Sequence, residues 1–176
     1  MKKVLIIHGL GGSDYPHWQS WLASELIKLN YTVSFPALPN RDNPDLKEWL
    51  EFINAEVKHF KPDIVVCHSL ANLLWFHLVD KYDISPIEKL MLVAPVSQQC
   101  TVKELQSFLP YPIPSDLRAK EVIMACGDND PYISVEEAIN LQSSLNIGMK
   151  IMENAGHINR DSGFGELSFA LEWVQR

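Results

Sequence analysis

Short apolar runs alternate with longer amphipathic stretches along almost the whole chain. Six of these runs are apolar without the strict polar-apolar alternation of a strand that has one face in water. Strands of that kind lie inside a parallel sheet whose two faces are both covered by helices. The predicted strands are residues 4–7, 31–35, 64–66, 89–93, 121–125 and 149–152. The pattern therefore predicts an α/β fold, a three-layer α/β/α sandwich with a mainly parallel sheet of about six strands.

The stretches between the runs repeat apolar residues every three or four positions, as the buried face of a helix does. Predicted helices cover residues 17–30, 43–57, 70–80, 135–145 and 166–174. The segment 94–119 departs from this rhythm, because it contains four prolines and a helical pattern only around residues 102–108. We expect a loop with one short helix there, which walls a pocket, and no lid domain.

Composition limits the kinds of function that this chain can have. Its 176 residues, 47% of them apolar, suit one domain over residues 1–176. The net charge of −7, without a stripe of Lys or Arg, argues against nucleic acid or an anionic membrane as a partner. No apolar run reaches the roughly 18 residues of a membrane span. Three cysteines without a C-x-x-C pair indicate free thiols in the cytoplasm, and we expect no metal and no cofactor.

Residues 63–74 contain the most informative local motif. An apolar, β-branched run stops at His68 and Ser69, and a helical pattern begins immediately after them. This arrangement is typical of a nucleophile elbow, a sharp strand-to-helix turn that exposes a serine hydroxyl. The usual motif is G-x-S-x-G, whereas Cys67 and Ala71 occupy the two glycine positions here. Because both replacements are small, we expect a slightly opened elbow that still presents Ser69, at some cost in activity.

The other residues that a nucleophilic serine needs follow different strands. His157 follows the last predicted strand, Asp128 and Asp130 follow the fifth, and a glycine-rich segment, residues 8–13, follows the first. Because parallel strands end at the same edge of a sheet, we expect these groups to converge there. The order serine, aspartate, histidine along the chain is that of the α/β-hydrolases.

The predicted triad assigns one chemical task to each residue type. His157 is the base that takes the Ser69 proton, because imidazole titrates near neutrality. An aspartate must hold the imidazole in the correct tautomer and stabilise its protonated form. We favour Asp130, because Pro131 fixes the backbone after it, and Asp128 stays open as the alternative.

Backbone N–H groups are the predicted donors to the oxyanion. One belongs to Leu70, at the start of the helix that follows the serine, where the helix dipole also helps. The other belongs to Leu10, in the glycine-rich segment, whose glycines let the backbone approach a substrate. Asn159 and Arg160, just past the histidine, either fix its loop or contact a carboxylate substrate, and the sequence does not decide between the two.

Several short motifs together resemble one known family. They are His8-Gly9-Leu10-Gly11-Gly12-Ser13, His17-Trp18, His68-Ser69-Leu70, Asp130-Pro131-Tyr132, Gly156-His157-Ile158-Asn159 and Ser162-Gly163-Phe164-Gly165. In this combination, over nearly the whole chain, the sequence resembles the small lid-less serine hydrolases, the α/β-hydrolase family of retinoblastoma-binding protein 9 and its bacterial relatives. The resemblance implies an α/β-hydrolase fold and a triad of Ser69, Asp130 and His157. It implies little about the substrate, because physiological substrates are poorly defined across that family.

The residues and the resemblance predict a serine hydrolase of carboxylesterase type that acts on carboxylic esters or related small acyl compounds. The altered elbow leaves a second hypothesis open, a weak or inactive protein of the same fold that binds a ligand or a partner protein. A nucleotide site at Gly9-x-Gly11-Gly12 is a third and weaker hypothesis. That motif lacks the full G-x-G-x-x-G spacing, and no lysine follows it as in a P-loop.

Overall fold

Six strands form one sheet in the computed structural model, which describes all 176 residues. Their order across the sheet is β2-β1-β3-β4-β5-β6, and every neighbouring pair is parallel. The strands are β1 (Lys3–Ile7), β2 (Thr32–Ser34), β3 (Ile64–His68), β4 (Ile87–Val93), β5 (Ala119–Gly127) and β6 (Gly148–Met152). The predicted parallel sheet of six strands is therefore confirmed.

Five α-helices cover the two faces of this sheet. They are α1 (Trp18–Lys28), α2 (Leu46–Phe60), α3 (Leu70–Lys81), α4 (Val135–Leu145) and α5 (Ser168–Gln175). Apolar residues of α2, α3 and α4 join a core cluster on one face, and those of α1 and α5 join a second cluster on the other. None of the five helices combines the length and the apolar composition that crossing a membrane requires.

Alternate residues of the central strands supply the two core clusters. In β1, Leu5 and Ile7 belong to the cluster under α2, α3 and α4, whereas Val4 and Ile6 belong to the cluster under α1 and α5. The same alternation continues in β3, because successive side chains of a strand point to opposite faces. A strand covered on both sides needs an apolar residue at every position, which explains the continuous runs in the sequence.

Local capping explains where the helices begin. Asp45 accepts a hydrogen bond from the Glu48 N–H before α2, and Ser134 and Glu137 form a reciprocal capping box before α4. The predicted first helix ends earlier than expected, at Lys28, because Asn30 adopts a positive φ of 62°. The expected short helix near residues 102–108 is a 3-10 helix, Lys103–Phe108, within a connection that contains no lid domain.

Candidate active site

Ser69 forms the sharp turn between β3 and α3. Its backbone has φ 55° and ψ −122°, a strained conformation that non-glycine residues rarely adopt. The Ser69 N–H donates to the Val93 carbonyl oxygen at 2.9 Å, which fastens the turn to the end of β4. Cys67 and Ala71, at the usual glycine positions, are fully buried, and burial raises the pKa of the Cys67 thiol. The closest approach to the turn comes from Gly9, where an added Cβ would lie 2.8 Å from Ser69 Cβ.

The side chain of His157, in the loop after β6, lies between Ser69 and Asp130. Its Nε2 is 2.8 Å from Ser69 Oγ, and its Nδ1 is 2.8 Å from Asp130 Oδ2 and 3.0 Å from Oδ1. Because a carboxylate only accepts hydrogen bonds, Nδ1 carries the proton and Nε2 can accept that of the serine. The Asp130 side chain is completely buried, and its Oδ1 also accepts the Tyr132 N–H at 2.8 Å. One continuous hydrogen-bond chain thus joins the hydroxyl to a buried carboxylate.

Asp128, the other candidate acid, has a different set of contacts. Its Oδ1 accepts the Asn154 N–H at 2.7 Å, which joins the turn after β5 to the loop after β6. Of the two aspartates, only Asp130 contacts the His157 side chain. Asp128 instead helps to fasten the loop that carries the histidine.

Further hydrogen bonds hold the histidine loop, one to the turn after β5 and one within the loop itself. Asn129 Oδ1 accepts the Gly156 N–H at 2.6 Å, and Ser162 Oγ accepts the His157 N–H at 3.2 Å. The backbones of Gly127 and Gly156 pass so closely that a Cβ on Gly127 would overlap the Gly156 carbonyl oxygen. This close approach requires glycine at position 127 and fixes the distance between the two loops.

Two more histidines, His68 and His17, lie in a row beside His157. His68 Nε2 donates to the His157 carbonyl oxygen at 3.0 Å, and the rings of His17 and His68 have centroids 5.0 Å apart. Burial, followed by the nearby histidines, holds the pKa of His68 well below its usual value. Burial, followed by the charge of Arg160, lowers the pKa of His17 to about 4. Both rings are therefore neutral near pH 7, and neither contact is visible in the local sequence pattern.

The loop after β1 carries Leu10, one of the two predicted oxyanion donors, and passes close to Ser69 at Gly9. His8 orders this loop, because its Nδ1 donates to the Gly9 carbonyl oxygen at 2.7 Å and its Nε2 accepts the Leu38 N–H at 2.9 Å. The Leu10 N–H has no acceptor within the protein. Leu70 is the first residue of α3, where N–H groups lack intrahelical acceptors. Both groups are free to donate, and their role at an oxyanion stays a prediction.

A cavity of about 360 Å³ includes both Ser69 and His157 in its lining. Its walls come from the loop after β1, from the connection after β4, and from the histidine loop. The expected contribution of residues 94–119 is confirmed, because Val96, Val102 and Leu105 line the cavity. No group of three or more His, Cys, Asp or Glu side chains is arranged to hold a metal ion. The remaining lining residues are Leu10, Gly11, Gly12, Ser13, Asp14, His17, His68, Tyr132, Asn159, Arg160 and Asp161.

The sequence and the fold are both similar to those of known hydrolases. Residues 4–176 match the model of a family described as serine hydrolase. No curated protein matches the sequence.

Solved structures with the same fold are distant in sequence. The ydeN gene product of B. subtilis has a TM-score of 0.89 at 21% identity, over 99% of this chain and 97% of that one. A YdeN-like protein of Pectobacterium atrosepticum has a TM-score of 0.78 at 24% identity, over 98% of this chain and 89% of that one. Est1E of Butyrivibrio proteoclasticus with bound ferulic acid has a TM-score of 0.72 at 15% identity, over 100% of this chain and 90% of that one. At these identities the likeness establishes the α/β-hydrolase fold.

Proposed function

The chain belongs to the serine hydrolase family, and on that premise we propose that it hydrolyses carboxylic esters or related small acyl compounds through an acyl-enzyme on Ser69. The observation that carries the proposal is the continuous hydrogen-bond chain from Ser69 Oγ through His157 to Asp130, with distances of 2.8 Å on both sides of the imidazole. A neutral serine hydroxyl is a poor nucleophile, and a base at this distance activates it. No other serine of the cavity has a histidine nitrogen within hydrogen-bond distance of its hydroxyl.

Acylation begins when His157 Nε2 takes the proton of Ser69 Oγ. The oxygen attacks the carbonyl carbon of the ester, and the carbonyl oxygen becomes an oxyanion that accepts hydrogen bonds from the Leu10 and Leu70 N–H groups. The intermediate collapses as the bond to the leaving alcohol breaks. His157 gives its proton to that alcohol, and an acyl ester on Ser69 remains.

Deacylation repeats these steps with water as the nucleophile. His157 takes one proton from the water, the hydroxide attacks the acyl carbon, and the Ser69 oxygen leaves with the proton from the imidazole. Asp130 lowers the energy of the protonated imidazole in both halves of the reaction, because it is a buried carboxylate in contact with Nδ1. Its burial also keeps water from competing for that hydrogen bond.

Fluorophosphonate labelling of the purified protein tests the proposal directly, because this probe reacts only with an activated serine. We expect the wild type to be labelled, and the Ser69→Ala and His157→Ala variants to remain unlabelled with Tm values that report a folded protein. Ser144→Ala is the matched control, since Ser144 is an exposed serine on α4.

Two results would contradict the proposal. Labelling of Ser69→Ala would mean that another residue is the nucleophile. A folded wild type that takes no label at high probe concentration would favour the alternative suggested by the altered elbow, a protein of this fold that binds a ligand or partner without turnover.

A further inference from the structure

The cavity has two chemically different walls, and they belong to opposite faces of the sheet. The first wall is apolar. Val96 and Leu105 are members of the core cluster under α2, α3 and α4, and Leu10 and Val102 pack against the same cluster. The second wall is polar and is built on the face that α1 and α5 cover. It consists mainly of Ser13, Asp14 and His17 before α1 and residues 159–161 of the histidine loop.

The polar wall is tied to the histidine loop by direct contacts with α1. The Trp18 side chain donates from Nε1 to the Ile158 carbonyl oxygen at 2.8 Å, and the Trp18 N–H donates to the Phe164 carbonyl oxygen at 3.1 Å. The start of α1 and the residues after His157 therefore form one continuous surface. The apolar wall belongs to the opposite face of the sheet.

The direction in which an ester lies between these walls follows from the chemistry of His157. A general acid must reach the leaving oxygen to protonate it, so the alcohol of the ester lies beside the imidazole. Residues 159–161 continue from that imidazole along the same loop, which places the polar wall around the alcohol. The acyl group then extends away from His157, against the apolar wall.

Hydrogen-bond donors without partners dominate the polar wall. His17 accepts the Gln19 N–H at Nδ1, so the neutral ring carries its proton on Nε2, which has no protein acceptor. Asn159 uses Oδ1 to accept from Ser162 at 2.9 Å, and its NH₂ group donates to no protein atom.

The two acids of this wall are already paired. Asp14 Oδ2 lies 2.8 Å from Arg41 Nη2, and Asp161 Oδ1 lies 3.4 Å from Arg160 Nε. The free groups of the wall are thus matched to a ligand with hydrogen-bond acceptors.

We propose that the substrate is an ester of a short, uncharged aliphatic acid with a polar alcohol that carries hydrogen-bond acceptors. The inference rests on the proposed function, because it needs Ser69 to attack and His157 to protonate the alcohol. The cavity of about 360 Å³ lies near the lower end of the roughly 300–1,000 Å³ that ligand pockets occupy. The packed core behind Val96 and Leu105 closes the apolar wall, so a long acyl chain finds no further buried space.

A pair of nearly isosteric esters tests the polar wall. 2-Methoxyethyl butyrate and butyl butyrate differ in one ether oxygen that replaces a methylene, so the ratio of their kcat/KM values isolates the acceptor. We expect the wild type to favour the methoxyethyl ester by about fivefold, the effect of one net hydrogen bond. The Asn159→Asp variant should lose most of this preference while its Tm stays close to that of the wild type, because aspartate keeps an oxygen that accepts from Ser162 and lacks the free NH₂ donor.

The apolar wall is tested in the same experiment with 2-methoxyethyl octanoate. The wild type should prefer the butyrate, and Val102→Ala should raise the octanoate-to-butyrate ratio about tenfold, since methylene-sized changes in a pocket are worth that much. Val102 is only half-buried, so this variant keeps the test independent of a large loss of stability. Lys47→Gln, an exposed change on α2 outside the cavity lining, is the control and should leave both ratios unchanged.

Each outcome bears on one of the two proposals. Separate responses, with Asn159→Asp changing only the alcohol preference and Val102→Ala only the acyl preference, support the inference. A labelled and active wild type that shows no ether preference, or loses it equally in both variants, overturns the inference and leaves the proposed function intact. Failure of Ser69 to react with fluorophosphonate overturns the proposed function, and the inference with it.

Discussion

Acid should weaken the fold through the histidines beside the candidate active site, before the carboxylates have an effect. His17 is buried, and its pKa lies at about 4 in the folded protein against a usual value of 6.5. Below pH 6.5 the unfolded chain therefore binds a proton at this residue that the folded protein does not bind. The free energy of unfolding falls as pH decreases through 6.5, and this loss continues until about pH 4.

The size of this effect follows from the pKa difference. At pH 5 the solution lies 1.5 pH units below the unfolded pKa, and at about 1.36 kcal/mol per unit His17 alone costs about 2 kcal/mol of stability. His68 acts in the same direction, because its pKa is also lowered. Carboxylates with lowered pKa values, such as Glu137, lose their contribution only below their usual value of 4.5. The interval from pH 7 to pH 5 thus isolates the histidines.

Urea denaturation at pH 7 and at pH 5 measures this difference. The informative variant is His17→Asn, because asparagine does not titrate and still caps the start of α1. Whatever its stability at pH 7, this variant should lose about 2 kcal/mol less than the wild type between the two pH values. His59→Asn replaces an exposed histidine of α2 and should behave as the wild type does. Equal losses in the wild type and in His17→Asn would refute the reasoning.

Three substitutions test the geometry around His157. Asp130→Asn should lower kcat for ester hydrolysis by about 10³-fold or more, because an amide beside Nδ1 stabilises the wrong tautomer of His157. Asp128→Asn keeps the oxygen that accepts the Asn154 N–H and should change kcat little. Equal losses of kcat in the two variants would contradict the assignment of Asp130 as the triad acid. Gly127→Ala pushes a methyl group into the Gly156 carbonyl and should lower the free energy of unfolding by about 1–3 kcal/mol in urea denaturation. Its rate of fluorophosphonate labelling should also fall. An unchanged labelling rate would show that the histidine loop tolerates the displacement.

The elements of the fold were predictable because each one has a local cause. The helix over residues 135–145 was predicted with its observed limits, since Ser134 and Glu137 form the capping box that begins it. The strand β5 extends beyond the predicted residues 121–125 at both ends, from Ala119 to Gly127. Its first residues, among them the exposed Lys120, pair with β4 alone, because β6 begins opposite Ile123. The order of strands across the sheet depends on contacts between distant segments, and no local pattern contains it.

The site was predictable in its residue types and less so in its contacts. Asp128 and Asp130 lie in the same turn. Their roles differ because Asp128 accepts a hydrogen bond from Asn154, 26 positions further along the chain. The contact of His68 with the His157 carbonyl oxygen spans 89 positions. The unpartnered hydroxyl of Ser13 is likewise a property of its surroundings in the fold. Such long-range relations appear only once the loops are placed against one another.

The replaced glycines of the elbow illustrate the same point most clearly. A glycine is needed where a Cβ would strike a neighbour, and Cys67 and Ala71 instead fill buried space, with Cys67 paired between Ile7 and Leu92 in the sheet. The position that admits no Cβ is Gly9, on a different loop, against Ser69. The strain of the turn therefore persists without the usual motif, because it is imposed by the hydrogen bond to β4 and by the packing of the loop after β1. For this elbow, the constraint on sequence lies at Gly9, after the neighbouring strand β1, rather than two residues on either side of the serine.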